Sequence, residues 1–295
     1  MALAVTRYTP HTSRSFRKAA DYLGFPADIT PQMVTRPSRR AWVERYLEAV
    51  DIVHCHNQYR HANGWALINP DARWLMHQHG RIPRDSDRIA WRDHQAADAK
   101  RGAMRYVSTL NLLSYVDGDA ERWIPAPIDL ERYAALPREK HEIVTIGHSP
   151  TRRDYKRTEL LIATVNSLNA RGYRCGLDII EGVTHAESLA RKARCHIIFD
   201  QIHLCYGNSG LEGMAMGLPV VCGMDAETHA TVERVVGYRP YVTADDATLE
   251  TVLLSLVIDE AARKEAGTLG RCYIEERHAA PVVAAKMAAI YEAMV

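Results

Sequence analysis

The sequence contains no hydrophobic run of membrane-spanning length, no paired-cysteine motif, no internal repeat and no low-complexity tract. A membrane helix needs roughly 18 consecutive apolar residues, and the densest apolar stretch, 252–258, is far shorter. The first eighteen positions carry four basic residues and no apolar core, which argues against a secretory signal. The six cysteines show no CxxC spacing, and most lie in or beside apolar runs. We therefore expect buried thiols in a cytoplasmic protein, in a host cell if the gene is carried by a phage.

The chain also lacks an excess of charge of one sign, because it has 37 Lys and Arg residues and 36 Asp and Glu residues. The balance is uneven, with 21 basic and 16 acidic residues in 1–140 against 16 and 20 in 141–295. All five tryptophans lie in the first half, and the composition changes at 134–142. This predicts a domain at 1–136, a second at 137–280, and a C-terminal helix at 281–295 that packs back towards the first domain.

Short apolar runs alternate with helical patterns, which predicts an α/β fold with a parallel sheet. In the second half the predicted strands are 143–147, 177–180, 196–200, 219–222 and 241–243, and the predicted helices are 158–170, 185–194 and 209–216. In the first half the predicted strands are 2–6, 51–56, 73–79 and 104–108, and the predicted helices are 13–22, 39–49 and 87–100. Ligands of parallel sheets bind at the carboxyl ends of the strands.

The segment 206–222, YGNSGLEGMAMGLPVVC, carries the clearest chemical signal. A Gly-rich turn at 207–210 follows a predicted strand that ends at Asp200, and a short helix carrying Glu212 comes next. Free backbone N–H groups at a helix N-terminus favour a phosphate, and Glu212 can accept hydrogen bonds from a ribose diol. The spacing GxxGxxG is not the dinucleotide fingerprint GxGxxG. Since Gly-rich turns are common, a turn without a ligand is the alternative.

Residues 211–221, LEGMAMGLPVV, resemble the signature of the group 1 family of nucleotide-sugar glycosyltransferases. Matches in the same order are DIVHCH (51–56), HQHG (77–80), IPAPID (124–129) and the stretch 146–156 that begins IGHSP. The resemblance implies the GT-B fold, with two Rossmann-like domains facing across a cleft and here a shortened N-terminal domain. It implies a glycosyltransferase of the hexosyltransferase type. The implied co-substrate is a nucleotide-diphosphate sugar, with a UDP-sugar preferred, and no tightly bound cofactor is expected.

The resemblance also implies residue roles in the second domain. Glu212 would bind the ribose hydroxyls. Arg152 and Lys156 would act in catalysis by neutralising the diphosphate leaving group, where charge grows as the glycosidic bond breaks. The other implied donor contacts are Gly207, Asn208, Ser209, Gly210, Leu211, Arg153, Val183 and His148. A solvated loop is the alternative for TRRDYKR (151–157), and His185 either flanks the base or simply begins a helix.

One family feature is missing. The family often has a second Glu eight residues before Glu212, and Leu204 stands there. Because that Glu often contacts the donor sugar in the family, the sequence does not determine which sugar the donor carries. Front-face displacement, in which the leaving phosphate helps to deprotonate the acceptor, needs no carboxylate nucleophile. The family therefore still suggests a retaining and metal-independent transfer.

Four histidines, His54, His56, His77 and His79, lie near two predicted strand ends. An HxH pattern on a strand places both rings on one face, as metal ligation requires. No acidic or cysteine partner has a suitable spacing, so no metal site is predicted. His79 is predicted to contact the donor sugar or to act as a base. Hydrogen-bonded burial is expected for the others.

Basic and aromatic residues interleave in the first domain, and the acceptor-side candidates are His56, Arg14 and Trp42. The expected acceptor is a saccharide, free or lipid-linked. The alternative is a 5-hydroxymethyl pyrimidine in phage DNA bound by the basic domain. A non-catalytic nucleotide-sugar or nucleic-acid binding protein is a further alternative. An epimerase would need a paired acid and base, and the sequence offers no clear pair.

Overall fold

The computed structural model describes residues 48, 50–56, 69, 71–79, 96, 100, 102–136, 139–203 and 205–295. The predicted strand 2–6 and helix 13–22, nearly all of the predicted helices 39–49 and 87–100, and the candidates Arg14, Trp42 and Leu204 lie outside these residues. The chain forms two compact units. The N-terminal unit is Met1–Pro127 with Ala280–Val295, and the C-terminal unit is Ile128–Ala279.

The described strands are β1 (Ile52–His56), β2 (Arg73–Gln78), β3 (Met104–Val107), β4 (Val144–His148), β5 (Cys175–Ile179), β6 (Ile197–Phe199), β7 (Val220–Cys222) and β8 (Val242–Thr243). The α-helices are α1 (Leu130–Ala134), α2 (Thr158–Ala170), α3 (His185–Arg194), α4 (Asn208–Ala215), α5 (Ala226–Val236), α6 (Leu249–Ile258), α7 (Glu260–Tyr273) and α8 (Ala280–Met294). Two 3₁₀ helices, Leu110–Val116 and Ala120–Arg122, and a π-helical turn, Ile274–His278, complete them. Within the described residues, no helix is both long and apolar enough to cross a bilayer.

In the N-terminal unit, β1, β2 and β3 form a parallel sheet in that order. Helix α8 belongs to this unit. Its Val283, Met287 and Met294 pack with Leu75 of β2 and Tyr106 of β3. These side chains form the hydrophobic core of the described part of the unit, and their burial away from water stabilises it.

In the C-terminal unit, five parallel strands pair in the order β5-β4-β6-β7-β8. Its central strands are buried on both faces and read as continuous apolar runs, such as IIF in β6 and VVC in β7. Ile146, Phe199 and Val221 from the sheet pack with Leu161 of α2 and Leu253 of α6. This alternation of strands and helices confirms the predicted α/β class.

The two units divide after Pro127 and after Ala279. Ile128 donates its backbone N–H to the carbonyl oxygen of His278 at 2.7 Å, so the beginning and the end of the C-terminal unit are paired. The sequence predicts the first boundary at 136, beside the composition change. In the structure the C-terminal unit already begins at Ile128 and includes α1. The change in composition at 134–142 therefore lies inside that unit and not at its boundary.

Helix α7 approaches the turn after α4 so closely that only glycine fits. A Cβ atom on Gly267 would lie 2.2 Å from the carbonyl oxygen of Gly217. Gly217 itself has a φ of 71°, in the left-handed region that glycine adopts at little cost. Arg271 of α7 also donates from Nη1 to the carbonyl oxygen of Ala215 at 2.5 Å. The C-terminal end of α4 is therefore held by the close backbone approach of α7 and by a side-chain hydrogen bond from Arg271.

We predict that Gly267→Ala destabilises the protein although alanine is the better helix former. The helix preference of alanine is worth about 1 kcal/mol, whereas forcing a methyl group into a packed interior costs about 1–3 kcal/mol. The backbone oxygen of Gly217 cannot rotate away as a side chain can, so we expect a net loss in the free energy of unfolding by urea denaturation.

The control is Thr268→Ala, one position along on the exposed face of α7. It should change the free energy of unfolding by less than about 0.5 kcal/mol. A Gly267→Ala variant as stable as the control would contradict the close approach of the two backbones.

Candidate functional site

The candidate site lies at the carboxyl ends of β4 and β6, the edge of a parallel sheet where ligands bind. The chain leaves β4 and runs through the basic loop, 149–157, into α2. It leaves β6 and reaches α4 through the Gly-rich turn, 207–210, whose last residues form the first turn of that helix. Because β4 and β6 are neighbours in the sheet, the two segments emerge side by side.

A buried carboxylate, Asp200, joins these two segments. Its Oδ1 lies 2.5 Å from Lys156 Nζ of the basic loop. Its Oδ2 accepts the backbone N–H of Gly207 at 2.5 Å. Burial by itself raises the pKa of Asp200, but the charge and hydrogen bond of Lys156 and the Gly207 N–H outweigh burial and hold the pKa below its ordinary value.

A second carboxylate, Glu212, lies one turn into α4. Its burial is likewise compensated by hydrogen-bonding and charged partners. Its Oε1 lies 2.7 Å from His185 Nε2, and its Oε2 lies 2.5 Å from Lys192 Nζ. Only 11% of the Glu212 side chain and 3% of the Lys192 side chain are exposed. Burial raises the pKa of Glu212. The hydrogen bond from His185 and the charge and hydrogen bond of Lys192 more than offset this, so the pKa falls below its ordinary value. Glu212 is therefore an ionised, fixed hydrogen-bond acceptor at neutral pH.

The orientation of the His185 ring follows from its other neighbour. Arg132 Nη2 lies 3.2 Å from His185 Nδ1. A guanidinium group can only donate, so Nδ1 accepts and Nε2 carries the proton that is donated to Glu212. Arg132 thus fixes the tautomer of His185, and His185 fixes one oxygen of Glu212.

The N-terminal end of α4 has the properties of an anion site. The first N–H groups of any helix have no partner within the helix, and the helix dipole is positive there. The hydroxyl oxygen of Ser209 is buried and has no hydrogen-bond partner. Gly210 leaves room for the Asp200 carboxylate, since a Cβ on Gly210 would lie 2.9 Å from Asp200 Oδ2. Asn208 is exposed, Gly207 and Ser209 are half-buried, and Gly210 and Leu211 are buried.

The arginines of the basic loop are paired with carboxylates. Arg152 Nη2 lies 2.7 Å from Asp154 Oδ2, and its guanidinium carbon lies 4.0 Å from the centre of the Tyr155 ring. Arg153 lies 2.8 Å from Glu159 Oε1 and 3.0 Å from Glu181 Oε2. Exposed pairs of this kind are weak and exchange readily. Arg152, with one carboxylate partner, is easier to recruit by an anionic ligand than Arg153, which has two.

Two further predicted donor contacts have different surroundings. Val183 is half-buried in the loop between β5 and α3. His148 is fully buried at the end of β4, with Nδ1 3.0 Å from the carbonyl oxygen of Phe199 and Nε2 2.8 Å from Thr158 Oγ1. Burial lowers the pKa of His148 to about 4. Both ring nitrogens of His148 are thus used inside the fold, where they link β4 to β6 and to the start of α2.

The four predicted histidines of the N-terminal unit come together at the ends of β1 and β2. His54 Nε2 lies 3.2 Å from His77 Nδ1, and His56 Nδ1 lies 2.5 Å from His79 Nε2. Burial lowers the pKa of His54 to about 3 and that of His79 to about 4. A pKa near 4 makes His79 a weak base at neutral pH, which favours hydrogen bonding over proton abstraction for its predicted role.

Sequence reasoning missed three residues that shape the C-terminal site. Asp200 was seen only as the end of a strand, although an acidic residue directly after a buried strand was a usable signal. Lys192 has the spacing that places it on the same face of α3 as His185 and Leu189, so an inward-facing lysine could have been inferred. Nothing local to Arg132 indicates that it contacts His185, which lies 53 residues further along.

We predict that Lys192→Met destabilises the C-terminal unit, because it leaves the buried Glu212 carboxylate with His185 alone. Removing one partner of a buried ion pair typically costs about 3–5 kcal/mol. We expect a loss of about 3 kcal/mol in the free energy of unfolding at pH 7 by urea denaturation. Adding Glu212→Gln to the same chain should recover part of the loss, since an amide carries no charge to bury.

Lys264→Met is the matched control, because Lys264 pairs with Glu260 at 2.6 Å on the surface and its side chain is 75% exposed. It should lose less than about 0.5 kcal/mol. Equal losses in the two variants would show that the Glu212–Lys192 pair is not a buried interaction.

Solved structures share this fold. A glycosyltransferase from Rickettsia africae has a TM-score of 0.64 at 15% identity, covering 88% of this chain and 82% of that one. HepE from Anabaena, solved in complex with UDP, has a TM-score of 0.63 at 12% identity, covering 91% and 86%. A putative UDP-N-acetylglucosamine 2-epimerase from Listeria monocytogenes has a TM-score of 0.60 at 12% identity, covering 99% and 91%. No family model and no curated protein matches the sequence. These likenesses confirm the predicted GT-B fold.

Proposed function

We propose that the protein is a glycosyltransferase that moves a sugar from a nucleotide-diphosphate donor, UDP-linked by preference, to a hydroxyl group of a saccharide. The observation that carries the proposal is the fixed carboxylate of Glu212, one turn inside a helix whose N-terminus is tied by Asp200 to Lys156. An anion site and an acceptor for hydroxyl groups therefore lie on one short helix. The HepE structures, which contain UDP or UDP-glucose, support the choice of donor.

In this proposal the N-terminal end of α4 receives the diphosphate. The uncommitted N–H groups and the helix dipole both favour a negative charge there. The unpartnered hydroxyl of Ser209 offers one more donor at that end of the helix. Lys156 brings a positive charge to the same place, because it shares the Asp200 carboxylate with the Gly207 N–H.

Glu212 holds the ribose. Each carboxylate oxygen accepts one hydrogen bond within the protein and has a further lone-pair position for a ligand hydroxyl. Because His185 and Lys192 hold the carboxylate in place, little side-chain entropy is lost when the ribose binds. The lowered pKa of Glu212 keeps it ionised, and hydrogen bonds to an ionised acceptor are the stronger kind.

Transfer breaks the bond between the anomeric carbon and the β-phosphate oxygen, and the electron pair leaves with the phosphate. Lys156 and Arg152 stabilise the charge that grows there. The acceptor oxygen forms its bond to the anomeric carbon from the face that the phosphate leaves, and its proton passes to a departing phosphate oxygen. The configuration is then retained. The two cations and the helix dipole supply the positive charge, so no metal ion is needed at the diphosphate.

His79 remains the proposed contact to the sugar from the N-terminal unit, and His56 a proposed acceptor contact. The proposed acceptor is a saccharide. A 5-hydroxymethyl pyrimidine in DNA, the alternative raised by the basic N-terminal sequence, is a second acceptor to be offered in the same assay.

We predict that UDP and UDP-glucose raise the thermal midpoint of the purified protein, whereas GDP, ADP and TDP have a smaller effect. A ligand at 100 times its dissociation constant stabilises the folded state by about 2.7 kcal/mol. Glu212→Gln should weaken donor binding by about 1.5–3 kcal/mol, because the hydrogen bonds to ribose lose a charged acceptor. This corresponds to roughly 10- to 150-fold in affinity by isothermal titration.

Glu227→Gln, at an exposed position in the first turn of α5, is the control and should bind the donor as the original chain does. Nucleotide release should depend on an added acceptor, and chromatography should detect the glycosylated product. A well-folded protein that binds none of the nucleotides would contradict the proposed donor site. An epimerised nucleotide sugar formed without any acceptor would contradict transfer.

A further inference from the structure

Three histidines of the N-terminal unit, His54, His56 and His77, form a group, and the proposed transfer gives no role to His54 or His77. His54 and His56 alternate along β1, so their rings share one face of the sheet. His77 of β2 is the register partner of His56, which brings a third imidazole to the same face. One ring nitrogen from each of these three residues lies within 4.8 Å of the others.

The spacing of two of these nitrogens fits a common metal ion. His54 Nε2 and His77 Nδ1 are 3.2 Å apart. Zinc binds imidazole nitrogen at about 2.0–2.1 Å in a tetrahedron, which places two ligand nitrogens about 3.3–3.4 Å apart. The pair therefore needs only a small adjustment to hold one ion between them, with a nitrogen of His56 as the third ligand.

The outer nitrogens of both rings are held as they are in metal sites. His77 Nε2 lies 3.2 Å from the carbonyl oxygen of Ile124. A carbonyl oxygen only accepts, so Nε2 carries the proton and Nδ1 turns its lone pair towards His54. His54 Nδ1 lies 2.7 Å from the hydroxyl of Tyr291 in α8. A ligating histidine ordinarily gives its other N–H to such an oxygen, which fixes the ring.

We propose that His54, His56 and His77 bind one zinc ion, with the fourth coordination position open to water or to a ligand. Imidazole nitrogen suits zinc and neighbouring transition metals, whereas magnesium and calcium prefer oxygen. The sequence predicts no metal site, because no acidic or cysteine partner has a suitable spacing. In the structure, nitrogens of three histidines approach one another without such a partner. All but one of the proposed donor residues lie in the C-terminal unit. The exception, His79, lies 2.5 Å from His56, which is itself a proposed acceptor contact. The zinc proposal rests on the histidine geometry alone and does not depend on the proposed function.

A second group with metal-ligand atoms is less suitable. His141, Asp178 and Cys195 also approach one another in the C-terminal unit. Arg191 already holds the Asp178 carboxylate through two nitrogens, and its positive charge opposes a cation. This group serves as the internal comparison for the experiment.

The test is zinc binding by the full chain, stripped with a chelator and titrated with ZnCl2 by calorimetry. Cobalt(II) provides a second readout, because a tetrahedral site gives strong visible absorption. We expect about one zinc per chain. His56→Gln, at an exposed position, should weaken zinc binding by more than about 100-fold. Tyr291→Phe, which removes only the partner of His54, should weaken it by about 10- to 100-fold.

The controls are His203→Gln, an exposed histidine of the C-terminal unit, and His141→Gln, and both should bind zinc as the original chain does. His77→Gln is avoided because the His77 ring is fully buried and its loss can impair folding. Absence of stoichiometric zinc would overturn the proposal, as would equal affinity in His56→Gln and His203→Gln. Loss of zinc in His141→Gln alone would assign the ion to the other group and would also overturn it.

Discussion

The candidate site depends on one buried carboxylate, Asp200. Its two oxygens bind Lys156 from the loop after β4 and the N–H of Gly207 before α4. It thereby connects the basic loop to the start of α4 through hydrogen bonds. The carboxylate also explains part of the glycine pattern, because a side chain at Gly210 would collide with Asp200 Oδ2. The Gly-rich turn is therefore shaped by a protein carboxylate as well as by any ligand that it binds.

Glu212 repeats the same arrangement one turn further along α4. Each carboxylate is buried, each has a lysine partner, and each has a second hydrogen-bond donor. Burying a charge is costly unless it is paired and hydrogen-bonded, so these partners fix the positions of both carboxylates. The charges of the site are thus arranged before a ligand arrives. The proposed transfer would use these fixed groups without reorganising them first.

Much of the C-terminal unit could be predicted from sequence, because its strands are short apolar runs and its helices follow them at regular spacing. The Gly-rich turn and Glu212 were found for the same reason, as a local pattern on a predicted strand, turn and helix. The Asp200–Lys156 and Glu212–Lys192 pairs join residues 44 and 20 positions apart, and no local pattern specifies such partners. The resemblance implies His148 as a donor contact, and the structure adds that both of its ring nitrogens have partners inside the fold. The meeting of His56 with His77 likewise depends on strand register.

The most direct test of the account is a crystal structure of the full chain with UDP. We expect the diphosphate at the N-terminal end of α4, with Lys156 beside it and both ribose hydroxyls within hydrogen-bond distance of Glu212. The pairs of Asp200 and Glu212 with their lysines should be unchanged from the free protein. A UDP molecule bound elsewhere, or a ribose that makes no contact with Glu212, would contradict the account.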